Sequence, residues 1–286
     1  MPVRQSTLLA SLLILLGMGA TARPVQAQAL LPYVLPLDES RLESDGISLA
    51  QDAAQLAQFQ QFEEALARAE LAAQLAPNDA QVLSLLGSLQ LQLGQTAAAI
   101  PTLEKAKRLE RDNPLVWFAL GSAYFSEGKY LQSVDSLEMG LDLEPENAGA
   151  RFDLGNAYYR LTRYQQAIEQ YEAAVRYEET LWPAVNNIGL VLYEQGNVEG
   201  AIAKWRESLV VSPEEQSEPQ LAIAVALYAQ GNQRRQAVDQ ATVALERDSR
   251  YADIDFLEEN LWGSRLIDAT KVFFATPDLQ DLLAQL

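Results

Sequence analysis

Between about residue 46 and residue 250, the apolar and small positions of the chain repeat every 34 residues. Leu86, Leu120, Leu154 and Ile188 are each followed by a glycine, giving a ladder of Gly87, Gly121, Gly155 and Gly189. Ala65, Ala99, Ser133, Ala167 and Ala201 form a second small-residue ladder at the same step. Glycine inside a helix costs about 1 kcal/mol relative to alanine, so four in register need a packing reason. The expected one is a helix passing so close that no Cβ fits. Turn glycines recur at Gly94, Gly128 and Gly196, with Gly231 one residue out of phase. Two small-residue ladders with recurring turns predict a stack of helix–turn–helix units.

The units fall at about 46–79, 80–113, 114–147, 148–181, 182–215 and 216–250. In the first, Ala53 stands in the glycine's place, as suits a terminal repeat with one face in water. Pro101 lies in the second helix of the second unit, where a missing N–H should bend the axis. Pro114 and Pro183 stand near the start of first helices, where that loss costs little. Residues 28–45, with Pro32 and Pro36, read as a linker. The tail, 251–286, lacks the repeat and predicts three helices: one ending at Gly263, one through Leu266–Phe274, and one capped by Thr276 with Pro277 first inside. It reads as a cap over the last unit, or else as an exposed docking patch of Trp262, Phe273 and Phe274.

The third unit carries Trp117-Leu120-Gly121-Tyr124, then Ser133, Leu137 and Pro145. The fourth has Leu154-Gly155-Tyr158, then Ala167 and Tyr171, and the fifth Ile188-Gly189, Ala201, Trp205 and Pro213. This resembles the tetratricopeptide repeat (TPR) family, whose pattern is W-x2-L-G-x2-Y, then A-x3-F, then P. The resemblance implies an all-α, right-handed α-solenoid of about six units with a C-terminal helical cap. It also implies that first helices line a concave groove. Tyr124 and Tyr158, three after the glycine, are then expected to point to the partner helix. The neighbouring stripe faces the groove: Phe118, Ser122 and Phe125; Phe152, Asn156, Tyr159 and Arg160; Asn186, Asn187, Leu190 and Tyr193; Val225 and Tyr228. The aromatics offer contact area and the amides can pair with a peptide backbone; packing between repeats is the alternative for the rings. Some members of the family clamp a peptide carboxylate with asparagines and several Lys/Arg. Asn156 and Asn187 match, but Phe152, Glu218 and Ala222 replace the basic members, so a less charged segment, with Arg160 meeting one carboxylate, fits better.

Composition narrows the chemistry. The 286 residues contain no cysteine and no histidine, which removes disulfides, thiol nucleophiles, Cys/His metal sites and the usual general base. Outside the repeats the tail is too short for a catalytic domain, so no enzyme, cofactor or metal is expected. Net charge is -18, and an acidic surface repels nucleic-acid phosphates and anionic lipid. A basic or neutral protein partner is expected, with self-association through the tail or first repeat as an alternative, and a recognition arm of an enzyme complex as another. Arg4, the apolar run from about Leu8 to Ala20, and Val25-Gln26-Ala27 read as a signal peptide over 1–27. Export to a periplasm or thylakoid lumen follows, an uncleaved membrane anchor being the alternative. An exported repeat protein with this leader loosely resembles cyanobacterial thylakoid or periplasmic examples, which implies a scaffold for assembling an envelope or photosynthetic membrane complex.

Overall fold

A computed structural model describes residues 38–211, 217–231 and 233–286. The signal peptide over 1–27 and the linker as far as residue 37 lie outside the described residues. The compact body, Glu39–Leu286, is all helical among the described residues. First helices are α1 (Glu39–Gln58), α3 (Ala80–Gln92), α5 (Pro114–Ser126), α7 (Ala148–Arg160), α9 (Trp182–Glu194) and α11 (Ser217–Gln230). Second helices are α2 (Phe62–Leu75), α4 (Thr96–Leu109), α6 (Tyr130–Leu143), α8 (Tyr164–Tyr177), α10 (Val198–Val211) and α12 (Arg234–Arg247). Among α2 to α10, equivalent helices start 34 residues apart. The sixth pair departs from the step, α12 starting two residues late. Each helix packs on its partner and on the next unit, which makes an α-solenoid. No described helix is long and apolar enough to cross a membrane.

The glycine ladder has its packing reason, and it is a side chain. A Cβ on Gly87 would lie 2.5 Å from Leu103 Cγ, and one on Gly155 2.5 Å from Tyr171 Cε1. Leu137 and the Trp205 indole occupy the same place over Gly121 and Gly189. Each comes from the second helix of the same unit, four residues after the small-residue ladder, whose members Ala99, Ser133, Ala167 and Ala201 are fully buried. One large side chain per unit thus fills the space left by a missing Cβ, and all four are fully buried.

Other ladders keep the step. Asp79, Asn113 and Asn147 cap first helices by accepting N–H bonds from Val82, Leu115 and Ala150 at 2.9, 3.1 and 2.8 Å. The turns place Gln60, Gly94, Gly128, Thr162 and Gly196 at positive φ, so two of these left-handed positions carry a side chain. Tyr124 and Tyr158 do not point to the partner helix. Their hydroxyls donate to Glu104 (2.9 Å) and Glu138 on the second helix of the preceding unit, stitching one unit to the next. Desolvation, with the carboxylate beside it, pushes both phenols up to about 12. The helix α4 runs through Pro101 without interruption.

Two expectations at the ends are corrected. The first helix begins at Glu39, so the last part of the expected linker is helical. In the tail, α13 (Ile254–Glu259) stops before Gly263, and the chain turns through Leu261 at φ 67. Gly263 instead caps the start of α14 (Ser264–Phe274), and the Glu194 side chain fills the space its Cβ would need. A 3-10 turn (Ser249–Ala252) and α15 (Pro277–Leu283) pack against α12 at the end of the array. The helix α14 goes elsewhere: it packs against the first helices α9 and α11.

Candidate functional site

First helices line one face of the array, so a helix resting on both α9 and α11 lies in the groove of the last two units. Leu266, Ile267, Thr270, Phe273 and Phe274 form its buried face, and Phe273 stacks on Tyr228 at 4.4 Å between centroids. Glu194 of α9 accepts the backbone N–H of Arg265 (3.2 Å) and Leu266 (3.1 Å), a carboxylate placed where the helix N-terminus is electropositive. The Arg265 guanidinium sits over the Tyr193 ring, and Arg160 donates to the Glu258 carbonyl at 2.8 Å. Trp262, Phe273 and Phe274 are buried, which overturns the reading of them as an exposed patch.

Beneath the tail runs a polar chain across three units. Tyr171 OH donates to Asn156 Oδ1 (2.8 Å), which also accepts from Asn187 Nδ2 (3.0 Å). Asn186 Nδ2 donates to Asn187 Oδ1 (3.3 Å) and to Glu218 Oε1 (3.0 Å), and the Trp262 indole N–H reaches the same Glu218 oxygen at 3.2 Å. Asn186 and Asn187 are therefore buried, and the protein itself accepts the N–H bonds of both amides. A buried amide needs partners, and here Glu218, Asn156 and Asn187 take up the amide N–H groups, while Asn186 Oδ1 is left without one among the described residues.

The stripe expected to face the groove splits in two. Its rings turn toward the second helix of their own unit: Phe118 packs against Gly140, Phe125 lies 5.4 Å from Tyr130, Phe152 5.8 Å from Tyr171, Tyr159 5.8 Å from Tyr164, and Tyr193 5.9 Å from Trp205. These contacts are within units, not between repeats as the alternative had it. Ser122 joins two units by donating to Asp153 at 3.0 Å. Leu190 and Val225 are buried, and Asn186, Asn187, Tyr193, Tyr228 and Arg160 meet the tail or the polar chain beneath it. Glu194 and Glu218, absent from the expected set, hold the tail. An acidic residue in a first helix where the family's clamp would carry a base was the available sign for Glu218.

Burial pushes the Glu218 carboxyl up to about 7, against the downward pull of the Asn186 and Trp262 donors. Its ordinary value is 4.5, so between those limits the folded state holds a proton that the unfolded chain has lost. Stability contributed by this group falls as pH rises through that window and is level above it. Glu218→Gln is therefore expected to change Tm little at pH 4 and to stabilise at pH 8 by on the order of 3 kcal/mol. Thermal melts at both pH values check this; equal effects at the two would contradict it.

What remains open of the groove belongs to the first units. Between α1 and α3 a cavity of about 220 Å³ is lined by Ile47, Ala50, Gln51, Ala54, Asp79, Gln81, Val82 and Leu85. Ser88 and, on α5, Leu115 are exposed on neighbouring turns.

Models of the family described as tetratricopeptide repeat match residues 56–122, 118–184 and 152–216, together more than half of the chain. PilF of Pseudomonas aeruginosa is similar in structure at TM-score 0.61 and 15% identity, over 87% of this chain and 99% of that one. MamA of Desulfovibrio magneticus RS-1 (0.54, 18% identity) aligns over 63% of this chain and 98% of its own. YrrB, described as a TPR protein with an unusual peptide-binding site, aligns at 0.53 and 19% identity over 68% and 98%. At such identities the likeness concerns the fold, and no curated protein matches the chain significantly. With a 34-residue step carried by paired helices, glycine ladders filled from the facing helix, and family matches over 56–216, the chain belongs to the tetratricopeptide repeat family.

Proposed function

We propose that the protein is a non-catalytic scaffold that holds a peptide segment or helix of a partner protein on the open part of its concave face, formed by α1, α3 and α5. One observation carries the reading: the tail fills the groove of the last units and leaves the cavity between α1 and α3 open. Ile47, Gln51, Gln81, Leu85, Ser88 and Leu115 offer apolar area, amides and a hydroxyl, with Asp79 the one charged residue of the cavity although the chain carries -18. The one carboxylate of the cavity, Asp79, already accepts the Val82 N–H at 2.9 Å; a mostly uncharged lining suits an uncharged segment, and the acidic exterior suits a basic or neutral protein bearing it. The peptide-binding site named for YrrB lies on a similar fold and agrees with this reading.

The leader pattern over 1–27 places the scaffold, in this proposal, in a periplasm or thylakoid lumen, where it would aid assembly of an envelope or photosynthetic membrane complex. A photo-crosslinking residue at Ser88, on the concave side, is compared with one at Leu131 on a second helix. Crosslinks to one defined partner from Ser88 alone are expected, mapped by mass spectrometry to an uncharged segment. Crosslinks from Leu131 alone would move binding to the convex side, and crosslinks only to further copies of the chain would favour self-association.

A further inference from the structure

We infer that residues 254–274 are a groove ligand carried in cis, and that the concave face of α7, α9 and α11 is a helix-binding site that a partner reaches only by displacing them. The inference rests on the scaffold reading but concerns the other half of the groove. Four independent contacts make this a built site. Glu194 receives the N-terminal amides of α14 at 3.1–3.2 Å. Glu218 receives the Trp262 indole N–H at 3.2 Å. Tyr228 stacks on Phe273 at 4.4 Å. Arg160, a repeat away, holds the Glu258 carbonyl at 2.8 Å.

These contacts define the ligand by chemistry. It is an amphipathic helix with apolar side chains at i, i+1, i+7 and i+8, as in Leu266, Ile267, Phe273 and Phe274. Its first amides are free for a carboxylate, and an indole stands just before it. A cap placed only to shield the last unit needs contact with α11 and α12, as the 3-10 turn and α15 make. It has no need to reach α9, nor to be met there by a carboxylate at its N-terminus. Reaching back across two repeats is what a groove ligand does. The tether keeps the ligand's effective concentration high, so a free partner competes only when it binds more tightly or when the tail is loosened.

The test uses the full chain carrying Trp262→Ala and Phe273→Ala, which weakens the tail and leaves the receiving surface intact. A fluorescent peptide spanning residues 253–276 is added and anisotropy followed. The parent chain should not bind it. The loosened chain should bind it saturably, and adding Glu194→Ala to that chain should weaken binding at least tenfold. Hydrogen exchange on the same samples checks that α7 to α12 stay protected. Failure to bind with those helices protected would overturn the inference. Loss of protection throughout α9–α12 would overturn it too, because the segment would then be part of the core. Neither result touches the Ser88 crosslink, which reads the open half of the groove.

Discussion

Trp205→Ala is expected to destabilise the array by about 3–5 kcal/mol, the range for removing a large aromatic from a core. Trp205 is fully buried, its ring fills the place of a Cβ on Gly189, and its Nε1 donates to the Asn186 carbonyl at 3.1 Å. Truncation opens a large void between α9 and α10 and frees a carbonyl beside the polar chain. Because each repeat leans mainly on its neighbours, the loss should centre on units four to six, seen as raised hydrogen exchange in α9 and α10 with α1–α4 nearly unchanged. The companion substitution Gly189→Ala tests the cause. Its new Cβ would stand 2.6 Å from Trp205 Cδ1, an overpacking that typically costs about 1–3 kcal/mol and exceeds the gain in helix propensity. In the Trp205→Ala background the space is free, so Gly189→Ala should there be neutral or stabilising by up to about 1 kcal/mol. Additive losses from the two substitutions would mean that glycine and indole do not share that space.

Phe273→Ala should have the largest effect on the tail, about 3–5 kcal/mol of its docking energy. The ring is fully buried and stacked on Tyr228, and aromatic pairing adds about 0.5–1.5 kcal/mol to its area burial. The amides of α14 should exchange faster, with the faces of α9 and α11 becoming accessible, while α1–α6 keep their protection. An unfolding curve displaced as a whole, with α14 no more open than the rest, would show that the tail has no separate stability.

Much of this architecture was legible because it is local and repeated. A glycine and the large residue that fills it lie 16 apart, as in Gly87–Leu103 and Gly189–Trp205, so every unit displays the same pair. Caps such as Asp79 and Asn113 and the prolines at helix starts mark boundaries by the bonds they make or lack. The site was less legible. Spacing put Asn156 and Asn187 along one stripe, but a stripe does not say what covers it. The cover includes Glu258 and Trp262, the latter 44 residues after Glu218, in a segment with no repeat to align. Gln60 and Thr162 hid two turns because nothing in their side chains announces a positive φ. Tyr124 was misdirected because helical spacing alone does not separate a neighbour in the same unit from one in the unit before.

The groove of the last repeats is filled by the chain's own tail. The protein has no cysteine, so two introduced thiols are the only ones present. A Cβ on Gly263 would lie 2.5 Å from Glu194 Cγ, about where a sulfur at position 194 would sit. Glu194→Cys with Gly263→Cys should therefore oxidise in mild conditions to an intramolecular disulfide within a monomer, with helicity unchanged. Thiols that stay free in the folded chain, or that join only separate copies, would contradict the account.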